Sequence, residues 1–341
     1  MWFDESRLDN AEALAQFDTP LRELAESGAR VRRQATEAAV ATAEAAALFN
    51  VQNRPRAVIA AGPDSRLLRA VLEPTCPVPF VAWPSPMLPG WAGSLDLVVM
   101  LAPEGSDRGS ASAVAEAVRR GCQVVVACPP GSMVDEHAAG RWTTLLPTTT
   151  KDQLATAVVM LDFLDRISLG PSADPDEVAE ALDEVAIASS PLLDLSANPA
   201  KMLAIALADA NPLVWGGSVL AARAARRVAE SIRRAIGRSA IAGDAEHLLP
   251  ILEATKPRDM FADPFESGAA ERRPMLLVLD DGSEDALVRE QRGQLQAAAT
   301  AVGVRVEAVS TPAIHEVARY ASLALSGRYA AEYLRVGLVA D

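Results

Sequence analysis

The sequence predicts an α/β protein: two doubly wound parallel sheets in tandem, each with helices on both faces. Three observations point there. Residues 95–132 read strand, loop, helix, strand, and a crossover of this length is right-handed in nearly all cases and lays its strands parallel. A second series of strand–turn–helix units fills the C-terminal half. Half of the 341 residues are apolar but only 4% are aromatic, which suits Ala/Leu/Val helices on Val-rich strands. The length leaves room for two cores of ordinary size.

The central unit is the least ambiguous. LDLVVML (95–101) is an almost continuous apolar run, as expected of a strand buried on both faces. Residues 102–112 are rich in Gly, Ser and Asp and read as a loop. The helix expected over 113–120 places Val114 and Val118 on one face and stops at Gly121, and QVVVAC (123–128) is a second buried strand. Ligands of such sheets sit beyond the carboxyl ends of the strands, so residues 103–110 draw attention.

Before this unit, 8–17 and 20–49 read as helices, the second with Leu21, Leu24, Val31, Ala35, Ala38 and Leu48 as its buried stripe. A strand over 57–61 turns through Gly62, Pro63, Asp64 and Ser65 into a helix over 66–72. The strand over 78–83 contains Pro79, which favours an edge position, and 84–93 is loop. After it, 141–146 is a strand and 150–167 a helix carrying Leu154, Val158, Leu161 and Leu164. The Gly/Pro/Asp/Ser cluster at 169–176 marks the domain boundary.

In the second half, helices are expected over 176–187 and 198–210, the latter with Asn198 as N-cap and Pro199 at the first helical position. A strand over 212–215 enters Gly216-Gly217-Ser218 and a helix running to Ile236. Then come a strand (239–242), a helix (245–254), a long loop (255–273), a strand (274–280), a helix (283–301), a strand (304–309) and a helix (312–337). The alike openings of the two halves suggest an internal duplication.

A net charge of −13 argues against a nucleic-acid-binding surface or an anionic membrane partner. The densest basic stretches, 22–33 and 223–238, read as solvated helix faces. Cys76, Cys122 and Cys128 lack metal-ligand spacing, and the latter two flank a buried strand as core thiols. The acidic first ten residues have no basic or apolar leader pattern, and no apolar run approaches a membrane span, so a soluble, cytoplasmic protein is expected.

Several features stand together: Asn198-Pro199-Ala200-Lys201 ahead of a strand, Gly216-Gly217-Ser218 after it, Ala225-Arg226-Arg227, and a last helix with Tyr320, Tyr329 and Tyr333-Leu334. With the 95–128 layout, this order resembles the sugar isomerase (SIS) family, and more narrowly its bifunctional phosphoglucose/phosphomannose isomerase branch. The resemblance implies two flavodoxin/Rossmann-type SIS domains, here 1–170 and 171–341. It further implies a homodimer with sites near the interface that binds a hexose phosphate without metal or cofactor.

The departures are chemical. The family's phosphate loop reads roughly Ser-Tyr-Ser-Gly-Asn-Thr; here it is Ala102-Pro103-Glu104-Gly105-Ser106-Asp107, which puts carboxylates where an anion wants N–H and O–H donors. The first turn keeps Ser65, but Pro63 removes an amide donor. Aldose–ketose isomerisation needs a carboxylate base and a His, and the family's Glu position falls near Arg234, which cannot abstract a proton at neutral pH. The nearest counterpart of the family's His motif is Glu246-His247-Leu248, and the family's C-terminal lysine has no counterpart.

The candidates each have two readings. Glu246 and His247 are an acid/base pair or a helix-start carboxylate beside a surface His. Gly217 and Ser218 cradle an anion or serve a close helix–strand crossing, and Ser65 and Ser106 are phosphate donors or helix caps. Lys201 neutralises a ligand or is solvated, and His315 takes a catalytic role only by the resemblance, in which a His in a related place reaches the partner's site. Two functions are therefore expected. One is a phosphosugar isomerase of the glucose/mannose 6-phosphate class; the other is a non-catalytic module that binds a sugar phosphate or a protein and regulates sugar-nucleotide supply.

Overall fold

The apolar runs become the strands of two separate parallel sheets. The computed structural model describes residues 2–49, 54–63, 65–256 and 272–339. Asp64 of the expected first turn and residues 257–271 of the expected long loop lie outside the described residues. The chain forms two compact units, Gly28–Glu180, and Met1–Ser27 together with Ala181–Asp341.

The chain begins with β1 (Trp2–Phe3), α1 (Ala11–Ala15), α2 (Asp18–Ala25) and α3 (Ser27–Leu48). The first sheet is built from β2 (Val58–Ala61), β3 (Phe80–Trp83), β4 (Leu97–Leu101), β5 (Gln123–Cys128) and β6 (Thr143–Pro147). Its helices are α4 (Ser65–Leu72), α5 (Arg108–Arg119), α6 (Met133–Ala138) and α7 (Gln153–Arg166). All neighbours are parallel, in the order β3-β2-β4-β5-β6. β3, which begins one residue after Pro79 rather than containing it, is an edge strand as expected. Every residue of β4 is buried, and each large side chain there contributes roughly 1.5–3 kcal/mol.

The second unit carries α8 (Pro175–Ala188, from Ala181 onward), α9 (Pro199–Ala208), β7 (Ala210–Gly216), α10 (Val219–Ile236), β8 (Ile241–Ala242) and α11 (Ala245–Glu253). It continues with β9 (Arg273–Asp280), α12 (Ala286–Ala301), β10 (Arg305–Ser310), α13 (Glu316–Gly337) and β11 (Leu338–Val339). The sheet order is β10-β9-β7-β8, again all parallel. In chain order both sheets run second, first, third, fourth. The shared winding is what a duplicated unit would produce; the first sheet adds a fifth strand.

Three expectations need correction. The helix expected over 113–120 begins at Arg108, because Asp107 caps it: its Oδ1 accepts from Ser110 N at 2.6 Å. The segment after β5 contains α6, capped by Ser132, where only loop was expected. Residues before Ser27, expected with the first domain, belong to the second unit: β1 pairs antiparallel with β11, and Arg7 Nε donates to Val336 O at 2.8 Å.

Candidate functional site

A parallel sheet wound in this order has its switch point between the first and third strands, where the crossovers leave to opposite faces and open a crevice. In the first sheet this is the carboxyl end of β2 and β4. Gly62 follows β2 with φ +88°, and a Cβ there would stand 3.2 Å from Ser110 Oγ, so the turn after β2 closely approaches the first turn of α5. Ser65 starts α4; it is 1% exposed, and its Oγ has no hydrogen-bond partner among the described residues. A buried, unsatisfied hydroxyl costs about 1–3 kcal/mol, which makes it a feature to be explained.

The facing loop, 102–107, is held in place. Gly105 adopts φ +66°, a Cβ on it would overlap Ser132, and its carbonyl accepts from Val134 N at 3.0 Å. At its end Asp107 Oδ1 accepts from both Ser110 N (2.6 Å) and Ser110 Oγ (2.7 Å). A carboxylate of the chain therefore occupies the helix N-terminus that would otherwise receive an anion. Ser106 and Glu104 of the same loop are exposed.

The second sheet repeats the arrangement at β7 and β9. Cβ atoms on Gly216 and Gly217 would lie 2.3 Å from the Ala221 backbone and 2.2 Å from Val288 Cγ1, so the close crossing of strand and helices demands both glycines. Ser218 caps α10, accepting from Ala221 N at 3.0 Å, and its hydroxyl donates to Asp281 Oδ2. Asp281, at the end of β9, is buried. Both switch points thus present a helix N-terminus whose cap is linked to a carboxylate from the chain itself: Asp107 directly, Asp281 through Ser218.

Lys201 is placed differently from both of its readings. It is fully buried, and its Nζ donates to Asp9 Oδ1 (2.7 Å), Leu193 O (2.7 Å) and Pro191 O (3.2 Å), 5.6 Å from the centre of the Tyr333 ring. With all three protons given to the protein, none is left for a ligand. Tyr333 donates to Ser189 O at 2.6 Å, and burial pushes its hydroxyl well above the usual tyrosine value. The cluster ties the segment around Asp9 to α9 and α13, which is a structural role.

Glu246 and His247 stand on the first turn of α11, 81% and 69% exposed, with Oε1 and Nδ1 3.9 Å apart. His315 occupies the cap position of α13, exposed, without capping it. Arg234, where the family's base position falls, extends into solvent and pairs with Glu230 at 2.6 Å. Ser65 lies at one switch point and Gly217–Ser218 at the other, each within its own unit, whereas Glu246 and His247 follow the edge strand β8. Sequence reasoning missed Ser110 and Asp281. A signal existed: Asp107 and Asp281 both follow the third strand of their sheet, each shortly before a helix. Among the described residues no group of His, Cys, Asp and Glu is arranged to hold a metal, and no helix is long and apolar enough to cross a membrane.

Two parallel sheets with this order and paired switch-point loops define a tandem SIS-type α/β architecture. Among solved structures, the chain is similar to tagatose-6-phosphate ketose/aldose isomerase from Escherichia coli (11% identity, 92% of each chain, TM-score 0.67). It is also similar to the C-terminal domain of glucosamine-fructose-6-phosphate aminotransferase from Francisella tularensis (12% identity, 93% of this chain and 95% of that, TM-score 0.64). A third is a glucose-6-phosphate isomerase-like protein from Thermus thermophilus (18% identity, 83% and 81%, TM-score 0.50). At these identities the likeness is one of fold. No protein-family model matches the chain, and no curated protein matches it.

Proposed function

We propose that this protein binds a hexose phosphate at the switch-point crevice of its first sheet and does not isomerise it. The buried Ser65 hydroxyl, without a partner among the described residues, carries the proposal: it sits where ligands of this sheet order bind, and a ligand oxygen would satisfy it. The ligand class, glucose, mannose or fructose 6-phosphate, follows the resemblance and the hexose 6-phosphates named for the structural neighbours. Asp107 at the adjoining helix N-terminus makes that binding weaker than an uncharged cap would allow.

Non-catalysis is supported by the placement of the acid/base candidates. Moving a proton between sugar carbons requires a general base within hydrogen-bond reach of the carbon-bound hydrogen, and the carboxylate at this crevice, Asp107, is committed to capping α5 through Ser110 N and Oγ. Glu246 and His247 are surrounded by solvent on a surface helix, and Arg234, paired with Glu230 in solvent, offers no carboxylate. Such a binder, homodimeric and cytoplasmic, fits the regulation of sugar-nucleotide supply without cofactor or nucleic acid, in keeping with a net charge of −13.

The test is thermal melting with and without fructose 6-phosphate or mannose 6-phosphate, beside a coupled isomerase assay. A melting shift that disappears in Ser65→Ala, with no turnover, is expected. No shift in the native protein refutes the binding. Turnover establishes the isomerase reading instead, and Glu246→Gln and His247→Ala would then have to abolish it.

A further inference from the structure

The second sheet ends one strand earlier than the first. In the first sheet the fourth strand of the winding, β5, is flanked by β6; its counterpart β10 has a strand neighbour, β9, on one side only among the described residues. Arg305, Ala308 and Ser310 of β10 are exposed. A six-residue strand with no strand beside it on one side among the described residues is a template for another strand. Beside it, within the same unit, lies a cleft of about 500 Å³ walled by apolar side chains including Val185, Met202, Leu203 and Val309.

The charges on β10 specify what fits. Val306 packs into the core on the α11–α12 face, so the alternation of the strand sends Arg305 and Glu307 to the opposite face, where both line the cleft. Within one chain Arg305 Nε donates to Glu307 Oε1 at 2.6 Å. If two copies of β10 pair antiparallel about a two-fold axis at Val306, Arg305 of each copy stands opposite Glu307 of the other. Val304 then faces Ala308. The triplet Arg305-Val306-Glu307 is thus complementary to itself in this one antiparallel register, and a shift by one residue sets charges against apolar neighbours.

We propose that β10 is the docking edge for a second copy of this chain, joining two four-stranded sheets through an antiparallel β10–β10 pair. The occupant is this chain because the edge complements its own charge pattern, and exposed Met202, which lines the cleft with β10, supplies apolar area to cover. The contact is separate from the switch-point crevices and does not depend on ligand binding.

The experiment is sedimentation velocity on the 341-residue chain across the micromolar range. Arg305→Glu and Glu307→Arg each set like charges opposite one another twice in the symmetric pair. Each is expected to weaken association by roughly tenfold or more and to halve the mass of the species seen at low concentration. The double variant Arg305→Glu/Glu307→Arg keeps self-complementarity and restores the native mass. A monomeric native protein, a mass unaffected by either reversal, or a swap that fails to restore it overturns the proposal. Should the reversals unfold the chain by circular dichroism, a nitroxide at Ala308→Cys in a Cys76→Ser background decides. Inter-copy distances below about 25 Å are expected from a four-residue offset along antiparallel strands, and their absence overturns the pairing.

Discussion

Replacing Asp107 by Asn isolates the electrostatic part of the first crevice. Asn is as good an N-cap as Asp, so the acceptor for Ser110 N and Oγ remains and α5 keeps its start, while one negative charge is removed. A sugar phosphate carries about −1.5 to −2 at neutral pH. With the phosphate about 6 Å from the Asp107 carboxylate and an effective dielectric of about 40–80, each pair of unit charges repels by roughly 0.7–1.4 kcal/mol. Asp107 is exposed, so physiological salt removes about half of that, leaving about 1 kcal/mol for the doubly charged ligand. Titration calorimetry with fructose 6-phosphate should therefore show roughly fivefold tighter binding for Asp107→Asn, with a larger gain at low salt and none for free fructose. An unchanged Kd, or a gain indifferent to salt, would refute the placement of phosphate at this helix.

Two further perturbations address the rest of the molecule. Lys201→Met takes away the donor that the Leu193 and Pro191 carbonyls are arranged around, while exposed Asp9 is rehydrated, and it should destabilise the fold by about 1–3 kcal/mol in urea unfolding. A loss below about 1 kcal/mol would show that the cluster is not structural. Burial pushes the Cys128 thiol up to about 11, so at pH 8 it stays protonated in the folded protein. Thiol titration of the native chain should find Cys128 silent and half-buried Cys76 reacting first, and rapid native labelling of Cys128 would contradict its environment.

The strands were legible because burial on both faces leaves short runs with no polar interruption, as in 97–101 and 123–128. Strand order was not, since any parallel arrangement buries such runs equally well. The start of α5 hid within a Gly/Ser-rich stretch, because a cap acts through one hydrogen bond and leaves no periodicity upstream of it. Lys201 defeated prediction for a related reason. A single cation on a helix reads as solvated, and only the long-range approach of Asp9, 192 positions away, reveals an internal partner. The pairing of β1 with β11 is likewise two residues long at opposite ends of the chain, too short for any pattern. At the candidate site, Ser65 and the Gly216–Ser218 turn were legible because turn chemistry is local. The linkage of Ser218 to Asp281 was not, because it joins the ends of two strands 63 positions apart.

The most direct test follows the proton itself. Incubating the protein at high concentration with fructose 6-phosphate, glucose 6-phosphate or mannose 6-phosphate in deuterated water, with detection by proton NMR, reports any enediol formed, even when net turnover is slow. Ligand-dependent line broadening with no deuterium entering C1 or C2 is the expected result. Deuterium at either carbon, lost when a carboxylate of this chain is replaced by its amide, would contradict the account.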